Sequence, residues 1–147
     1  MDQLISIIKL ASARSVWRGL GYHEQGHVKQ LAIHGSAPDA LMEGNAEEPY
    51  QIHVNIEHAK QSTCTRPFVH GSHKMCKHMV ATVFSAIPGQ VEAFRREVEH
   101  ADRAYEEAER NRLAALWREV RSLNKAELQQ RYFDALLEID DLRHTRW

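Results

Sequence analysis

The chain has 147 residues, an apolar content of 43% and a formal net charge of −1, with 19 Lys and Arg residues against 20 Asp and Glu residues. This length favours one domain, or one domain with a helical appendage. The balanced charge argues against avid, non-specific binding to nucleic acid, which needs a surplus of basic residues. The longest apolar run is far shorter than a membrane span, and no signal peptide is evident, so we expect a soluble cytoplasmic protein.

The first residues of the chain have the spacing of a short amphipathic helix over residues 2–11, with Asp2 as its N-cap. The apolar positions that share one face are Leu4, Ile7, Ile8 and Ala11. Two aromatic residues, Trp17 and Tyr22, then flank Gly19 and Gly21. We expect their rings to pack where the chain turns into a sheet.

Three segments predict the strands of a small antiparallel sheet. The first covers residues 26–34, and the second covers about 40–44. The third, residues 50–57, alternates strictly between apolar and polar side chains, which is typical of a strand with one buried face. The apolar members of the third strand are Tyr50, Ile52, Val54 and Ile56.

Both cysteines of the chain and three of its ten histidines lie between residues 64 and 78. Thiolates and imidazoles are the ligands that zinc prefers, and Pro67 and Gly71 allow the segment to bend. The tail Cys76-Lys-His78 runs directly into an apolar stretch, residues 79–86, that predicts a helix. A loop cysteine followed by Cys-x-His at a helix start is typical of a structural zinc finger.

This region resembles the SWIM zinc finger, whose pattern is C-x-C, a variable loop and then C-x-H. The resemblance extends to four further runs: Arg18-Gly-Leu-Gly-Tyr22, Gly26-His-Val28, Tyr50-Gln-Ile-His-Val-Asn-Ile56 and Cys76-Lys-His-Met-Val-Ala81. Together they cover about residues 18–85. The resemblance implies a structural zinc ion and a role in binding DNA, or protein partners in DNA-associated complexes.

The chain departs from the SWIM pattern by having one cysteine before the loop instead of two. If Cys64 is the first of the pair, Arg66 occupies the second position and Pro67 follows as the family pattern requires. If Cys64 is the second, Ser62 occupies the first position. We prefer the Arg66 register because the proline then falls in place.

The fourth ligand must therefore come from elsewhere. We expect a tetrahedral set of two thiolates and two imidazoles, formed by Cys64, His73, Cys76 and His78. The alternatives for the His73 position are His70, Ser62 or a water molecule. A degenerate finger that folds without metal is the remaining interpretation.

No acidic residue occurs from residue 59 to residue 91, so the zinc site has no nearby general base. The chain also shows no nucleophile elbow, phosphate-binding loop or carboxylate pair. We therefore expect a binding module rather than an enzyme, without a small-molecule substrate.

The same acid-free stretch contains four candidate phosphate contacts: Lys60, Arg66, Lys74 and Lys77. Phe68 is available for stacking on a base. Binding to DNA through so few cations should be weak and strongly dependent on salt.

Beyond residue 88 the apolar residues recur in steps of three and four and predict a long helix over residues 90–121. Asn124 and Glu127 form a capping box for a final helix to about residue 142. Its apolar residues, expected to face inward, are Leu128, Tyr132, Leu136 and Ile139. We expect a helical hairpin, with a dimerising coiled coil as the alternative.

The predicted protein is thus α+β, with two parts. Residues 1–87 form a SWIM-like domain: a short N-terminal helix, a three-stranded antiparallel sheet and a zinc-finger loop and helix. Residues 88–147 form a C-terminal helical hairpin. The alternative function is a protein-interaction adaptor with a metal-free finger, which joins its partner through the C-terminal helices and does not bind nucleic acid.

Overall fold

A computed structural model describes residues 3–66 and 74–145 of the chain. It confirms an α+β fold with an antiparallel sheet and C-terminal helices. The helices are α1 (Ser6–Leu10), α2 (Ala13–Glu24), α3 (Lys77–Ala86), α4 (Gln90–Ser122) and α5 (Lys125–His144). The strands are β1 (Val28–His34), β2 (Ala37–Met42), β3 (Tyr50–His53) and β4 (Thr63–Cys64).

Within the described residues, four strands form one sheet in the order β1-β2-β3-β4, and each neighbouring pair is antiparallel. The expected number of three was too low by one. Strand β4 is only two residues long, too short to show any alternation, and it exists because Cys64 pairs with Ile52 of β3. This pairing brings the first cysteine to the edge of the sheet.

The alternation predicted for the third strand is confirmed. Ile52 and Val54 are buried, Gln51 is exposed, and Tyr50 and Ile56 pack partly buried against the same core. The regular strand is shorter than expected and ends at His53. One face of the sheet therefore covers the hydrophobic core.

Helix α3 lies in the middle of this core. Nine of its ten residues are buried, and it contacts both α2 and the sheet. It packs very closely on α2, because a Cβ atom at Gly19 would lie only 2.6 Å from Cγ1 of Val80.

Helix α2 was not predicted from the sequence. Its N-cap residue is Ser12, whose hydroxyl accepts a hydrogen bond from the N–H of Ser15 (3.2 Å). Trp17 and Tyr22, expected at a turn into the sheet, lie within this helix instead. The glycines of this segment suggested a turn. In the structure Gly19 lies inside the helix, where its missing side chain permits the close contact with α3.

The N-terminal helix is shorter than expected and begins at Ser6, with Ile5 at its N-cap position. Asp2, the predicted N-cap, lies outside the described residues. Ile7 and Ile8 are buried as predicted. The segment is held by the buried side chain of Gln90, which accepts from the N–H of Ile5 (3.0 Å) and donates to the carbonyl of Gln3 (3.0 Å).

The chain divides into two compact units, one ending at Val98 and the other beginning at Glu99. In the second unit the predicted capping box is confirmed: Asn124 Oδ1 accepts from the N–H of Glu127 (3.0 Å), and Glu127 Oε2 accepts from the N–H of Asn124 (2.8 Å).

The expectation that the apolar residues of the final helix face inward is wrong. No residue of α5 is buried; Tyr132 is 66% exposed and Leu136 is 45% exposed. Apolar residues do occur on α5 at the predicted positions, but within the second unit no other described element buries them. None of the helices in the described segments is long and apolar enough to cross a membrane.

Candidate metal centre and basic cavity

Three of the predicted zinc ligands converge in the core of the first unit. Cys64 lies in β4, Cys76 is the N-cap residue of α3, and His78 lies in the first turn of that helix. Their side-chain donor atoms all lie within 4.8 Å of one another. The residues are 3%, 4% and 1% exposed. They therefore form a buried group that can hold a metal ion.

The distance between two of the donor atoms matches tetrahedral coordination. Nδ1 of His78 lies 3.6 Å from Sγ of Cys64. A zinc ion with bonds of about 2.3 Å to sulfur and about 2.05 Å to nitrogen would separate such a pair by about 3.6 Å. Both cysteines are free thiols, so both sulfurs are available as ligands.

Aromatic rings hold the imidazole of His78 in place. The ring of Tyr50 stacks on it with centroids 5.0 Å apart, and the ring of Tyr22 lies tilted at 5.4 Å. The second nitrogen of His78, Nε2, is buried and has no hydrogen-bond partner within the described residues. Leaving such an atom unpaired costs about 1–3 kcal/mol.

The two thiols differ in acidity because they share a hydrogen bond. This bond lowers the pKa of Cys76 to about 4, with burial acting in the opposite direction and His78 acting in the same one. The same hydrogen bond, together with burial, raises the pKa of Cys64. The pair thus retains one proton between two sulfurs. A metal cation would replace that proton, because both ligands must be thiolates.

Backbone groups also face the sulfurs. Backbone hydrogen bonds from Arg66 and Met79 lower the pKa of Cys64 and Cys76, respectively. Residue 66, where the preferred register would place a second cysteine, therefore lies beside Cys64. Ser62, the alternative position, is buried with its hydroxyl accepting from the N–H of Asn55 (2.9 Å).

His73, the predicted fourth ligand, and His70, its alternative, both lie outside the described residues. Phe68, the predicted stacking residue, lies there too. The described part of the site thus supplies three ligands, two sulfurs and one nitrogen.

All four predicted phosphate contacts line one cavity of about 480 Å³ in the first unit. Its described lining contains six basic residues and no acidic one: Arg14, Arg18, Lys60, Arg66, Lys74 and Lys77. The N-terminal ends of α2 and α3 also border it, through Ser12, Ser15 and Cys76. Since helix N-termini carry partial positive charge, the cavity has the electrostatics of an anion site.

Lys77 has a second set of contacts. Its Nζ donates to the hydroxyl of Tyr22 (2.6 Å) and lies 4.1 Å from the centroid of that ring. Lys77 is buried. Its ammonium group therefore supports the Tyr22 ring that contacts His78, and links the basic cavity to the metal centre.

Sequence reasoning missed Arg14 and Arg18. Both lie on α2, which was not recognised as a helix, and they are four residues apart on one face. The i,i+4 spacing directly after a Ser N-cap was the available signal.

Comparison with family models, with curated proteins and with solved structures finds no match for this chain.

Proposed function

We propose that this protein is a zinc-stabilised binding module of the SWIM type, which contacts DNA through the basic cavity beside its metal centre. The observation that carries the proposal is the buried convergence of Cys64, Cys76 and His78, with Cys64 and His78 at a distance suited to tetrahedral coordination. Cys76 also lines the cavity, so the two features adjoin.

The donor chemistry favours zinc as the metal. Two soft sulfurs and an imidazole in tetrahedral spacing suit Zn²⁺ better than ions that prefer oxygen ligands. Because the group is buried, the ion would be structural. It would tie the last strand of the sheet to the first turn of α3, and its binding free energy would add to the stability of the fold.

The proposed metal also sets the shape of the cavity. Arg66 follows the first cysteine by two residues, and Lys74 precedes Cys76 by two. Fixing both sulfurs on one ion would fix the chain at both of these cations. We therefore expect DNA binding to depend on the metal.

The cavity supports an anionic ligand, and the composition of the whole chain limits how tightly it binds. The six basic side chains in the cavity lining would attract phosphate groups. The near-neutral net charge adds no general attraction to a polyanion. The proposed interaction is thus local, weak and sensitive to salt.

The test of DNA binding is a salt titration by fluorescence anisotropy with labelled single-stranded and double-stranded DNA. The zinc-loaded chain should bind at low salt and release the DNA as salt rises, and chelation should reduce binding. A zinc-loaded, folded chain that fails to bind either DNA at low salt would contradict the DNA-binding part of the proposal.

The test of the metal centre is elemental analysis of the purified protein. One zinc per chain is expected, with loss of the metal and a clearly lower melting temperature in Cys76→Ser and His78→Ala. His34→Ala, a change at an exposed histidine at the end of β1, is the matched control and should keep both the zinc and the melting temperature.

His73→Ala should lower the zinc content more than His70→Ala; the reverse would show that His70 is the fourth ligand.

A second candidate function is a protein-interaction adaptor with a metal-free finger. The observation that favours it is the exposed apolar surface of α4 and α5 in the second unit. A chain that contains no metal and binds no DNA would support this alternative.

A further inference from the structure

The second unit has helices but no core of its own. Among the described residues 99–145 none is buried, and only Glu109 and Leu123 are partly buried. Its exposed large apolar residues are Tyr105, Leu113, Leu116, Trp117, Val120, Leu128, Tyr132, Phe133, Leu136, Leu137, Ile139 and Leu142. Since helices in proteins gain most of their stability by burying an apolar face, this unit needs a covering surface.

The charges on α4 indicate how a covering helix would be oriented. Residues 99–109 contain five acidic residues and one basic residue, whereas residues 110–121 contain four basic residues and one acidic residue. The second-unit part of α4 therefore has an acidic beginning and a basic end.

The charges on α5 have the opposite order. Residues 125–133 contain two basic residues and one acidic residue, and residues 134–141 contain four acidic residues and no basic one. Arg143 follows near the end of the helix. Helix α5 thus begins basic and is acidic over most of its second half.

These patterns disfavour full pairing of α4 with α5 of the same chain. Only Leu123 and Asn124 separate the two helices, so a hairpin would align the basic end of α4 with the basic beginning of α5. It would likewise place the two acidic segments side by side. One ion pair, Arg131 to Glu119 (3.2 Å), joins the helices near the turn. Like charges along the rest of a hairpin would repel.

We propose that a second copy of this chain covers the apolar face of α4 and α5, with each helix antiparallel to its own copy. A two-fold axis across the helices would then place every acidic segment opposite a basic one. A parallel arrangement of the two copies would align like with like. The charge order therefore selects the antiparallel dimer, with Arg131 opposite the partner's Glu138 when the copies are centred on the middle of α5.

The exposed apolar area is large enough for such an interface. Twelve large side chains, each about half exposed, offer on the order of 1,000 Å² in all, given about 150–250 Å² for a whole aromatic side chain. Each partner in a standard stable interface contributes about 800 Å². On α5 the residues Leu128, Tyr132, Leu136, Ile139 and Leu142 recur in steps of three and four, as in helix–helix seams.

This inference goes beyond the proposed function and is independent of the metal, because no candidate ligand lies in the second unit. Its consequence for binding is that a dimer would carry two basic cavities. Two linked weak sites can bind one polyanion far more tightly than either alone, provided that the ligand reaches both.

The first experiment measures the mass of the full-length protein in solution by size-exclusion chromatography with light scattering, over a range of concentrations. The expected mass is twice that of the 17.0 kDa chain. Leu136→Glu with Ile139→Glu should weaken the dimer by more than about tenfold, because two charges enter the apolar seam. Gln130→Glu, on the polar side of α5, is the control and should remain dimeric.

The second experiment tests the orientation by charge reversal. Lys125→Glu with Arg131→Glu should weaken the dimer, and so should Glu138→Lys with Asp141→Lys, because each change puts like charges opposite each other. Mixing the two variants should restore a dimer of one chain of each kind. In a parallel dimer like ends would already face each other, so neither variant alone would be weakened. The loss of dimer in each variant alone therefore distinguishes the antiparallel from the parallel orientation.

Circular dichroism of every variant checks that the helices persist. A wild-type chain that stays monomeric at the highest concentration, with its helices intact, would overturn the proposal. It would favour a different protein as the partner that covers the apolar face. Dimerisation that persists in the Leu136→Glu, Ile139→Glu variant would also overturn it, because the copies would then meet elsewhere.

Discussion

Nδ1 of His78 lies 3.6 Å from Sγ of Cys64, although fourteen positions separate the residues and they belong to a helix and a strand. This separation equals that of two ligands on one tetrahedral zinc ion, about 3.6 Å. Both residues are also surrounded by the main hydrophobic core, of which Cys64 is a part. The core therefore positions the proposed ligands, and the metal would add stability to a fold that has other means of support.

We expect Arg66→Cys to raise zinc affinity at least about tenfold, because it supplies a third thiolate next to Cys64. The backbone of residue 66 already forms a hydrogen bond to that cysteine. Competition with a fluorescent zinc chelator measures the change.

The matched variant for this prediction is Ser62→Cys. It should leave zinc affinity unchanged and lower the free energy of unfolding by about 1–2 kcal/mol, because the N–H of Asn55 loses its acceptor. A gain in zinc affinity with Ser62→Cys and none with Arg66→Cys would show that the SWIM register is shifted by two residues.

The stability of the metal-free protein should rise with pH between about 4 and 9. The shared hydrogen bond lowers the pKa of Cys76 from 9.0 to about 4, so this thiol contributes stability that is fully present above pH 9 and is lost as the pH falls towards 4. The pKa of Cys64 is raised, so Cys64 keeps its proton in the folded state; in the unfolded chain it begins to ionise near pH 9, which ends the rise in stability. The contribution of Cys76 is at most about 1.4 kcal/mol per pH unit.

Urea unfolding in the presence of chelator, at several pH values, measures this slope. Cys76→Ser removes the titrating group and should flatten the dependence, so the difference between the two proteins isolates Cys76 from the histidines. Parallel pH profiles for the two proteins would show that Cys76 is not ionised in the folded state.

Gly19→Ala should destabilise the first unit by about 1–3 kcal/mol, because the added methyl group would overlap Val80 on α3. Gly21→Ala in the same helix is the control. The nearest atom to its new Cβ is Nε2 of Gln25 at 3.8 Å, so it should stabilise α2 by up to about 1 kcal/mol. Denaturant midpoints distinguish the two outcomes. Equal midpoints for the two variants would mean that α2 and α3 are packed less closely than the approach of Val80 to Gly19 indicates.

Arg14→Ala and Arg18→Ala should each weaken DNA binding and make it less sensitive to salt. For every lost phosphate contact the slope of log K against log salt should become shallower by about 0.7–0.9. Arg110→Ala, an exposed arginine of α4, is the control and should leave the slope unchanged. An unchanged slope in both cavity variants would place the DNA contacts outside the cavity.

Local patterns in the sequence predicted the elements that depend on local rules. The alternation of β3 identified its buried face, and Asn124 with Glu127 identified the start of α5. The residue types and spacing of Cys64, Cys76 and His78 identified three candidate ligands, and the fold brings these side chains together.

Features that depend on distant contacts could not be predicted in the same way. The two residues of β4 form a strand only because β3 lies beside them. Gly19 suggested a break, but its reason is the approach of Val80 from another helix. The apolar face of α5 was visible in the sequence, whereas periodicity does not tell whether anything in the same chain covers it.

The hydrogen bonds of Gln90 have a practical consequence for recombinant fragments. A fragment that stops at Ala86 would leave the N–H of Ile5 without its acceptor, and Phe84 would lose its contact with Phe94. A fragment that extends to Val98 would retain both. The first turns of α4 are therefore part of the N-terminal unit. The shortest fragment suitable for crystallisation or NMR should extend to Val98.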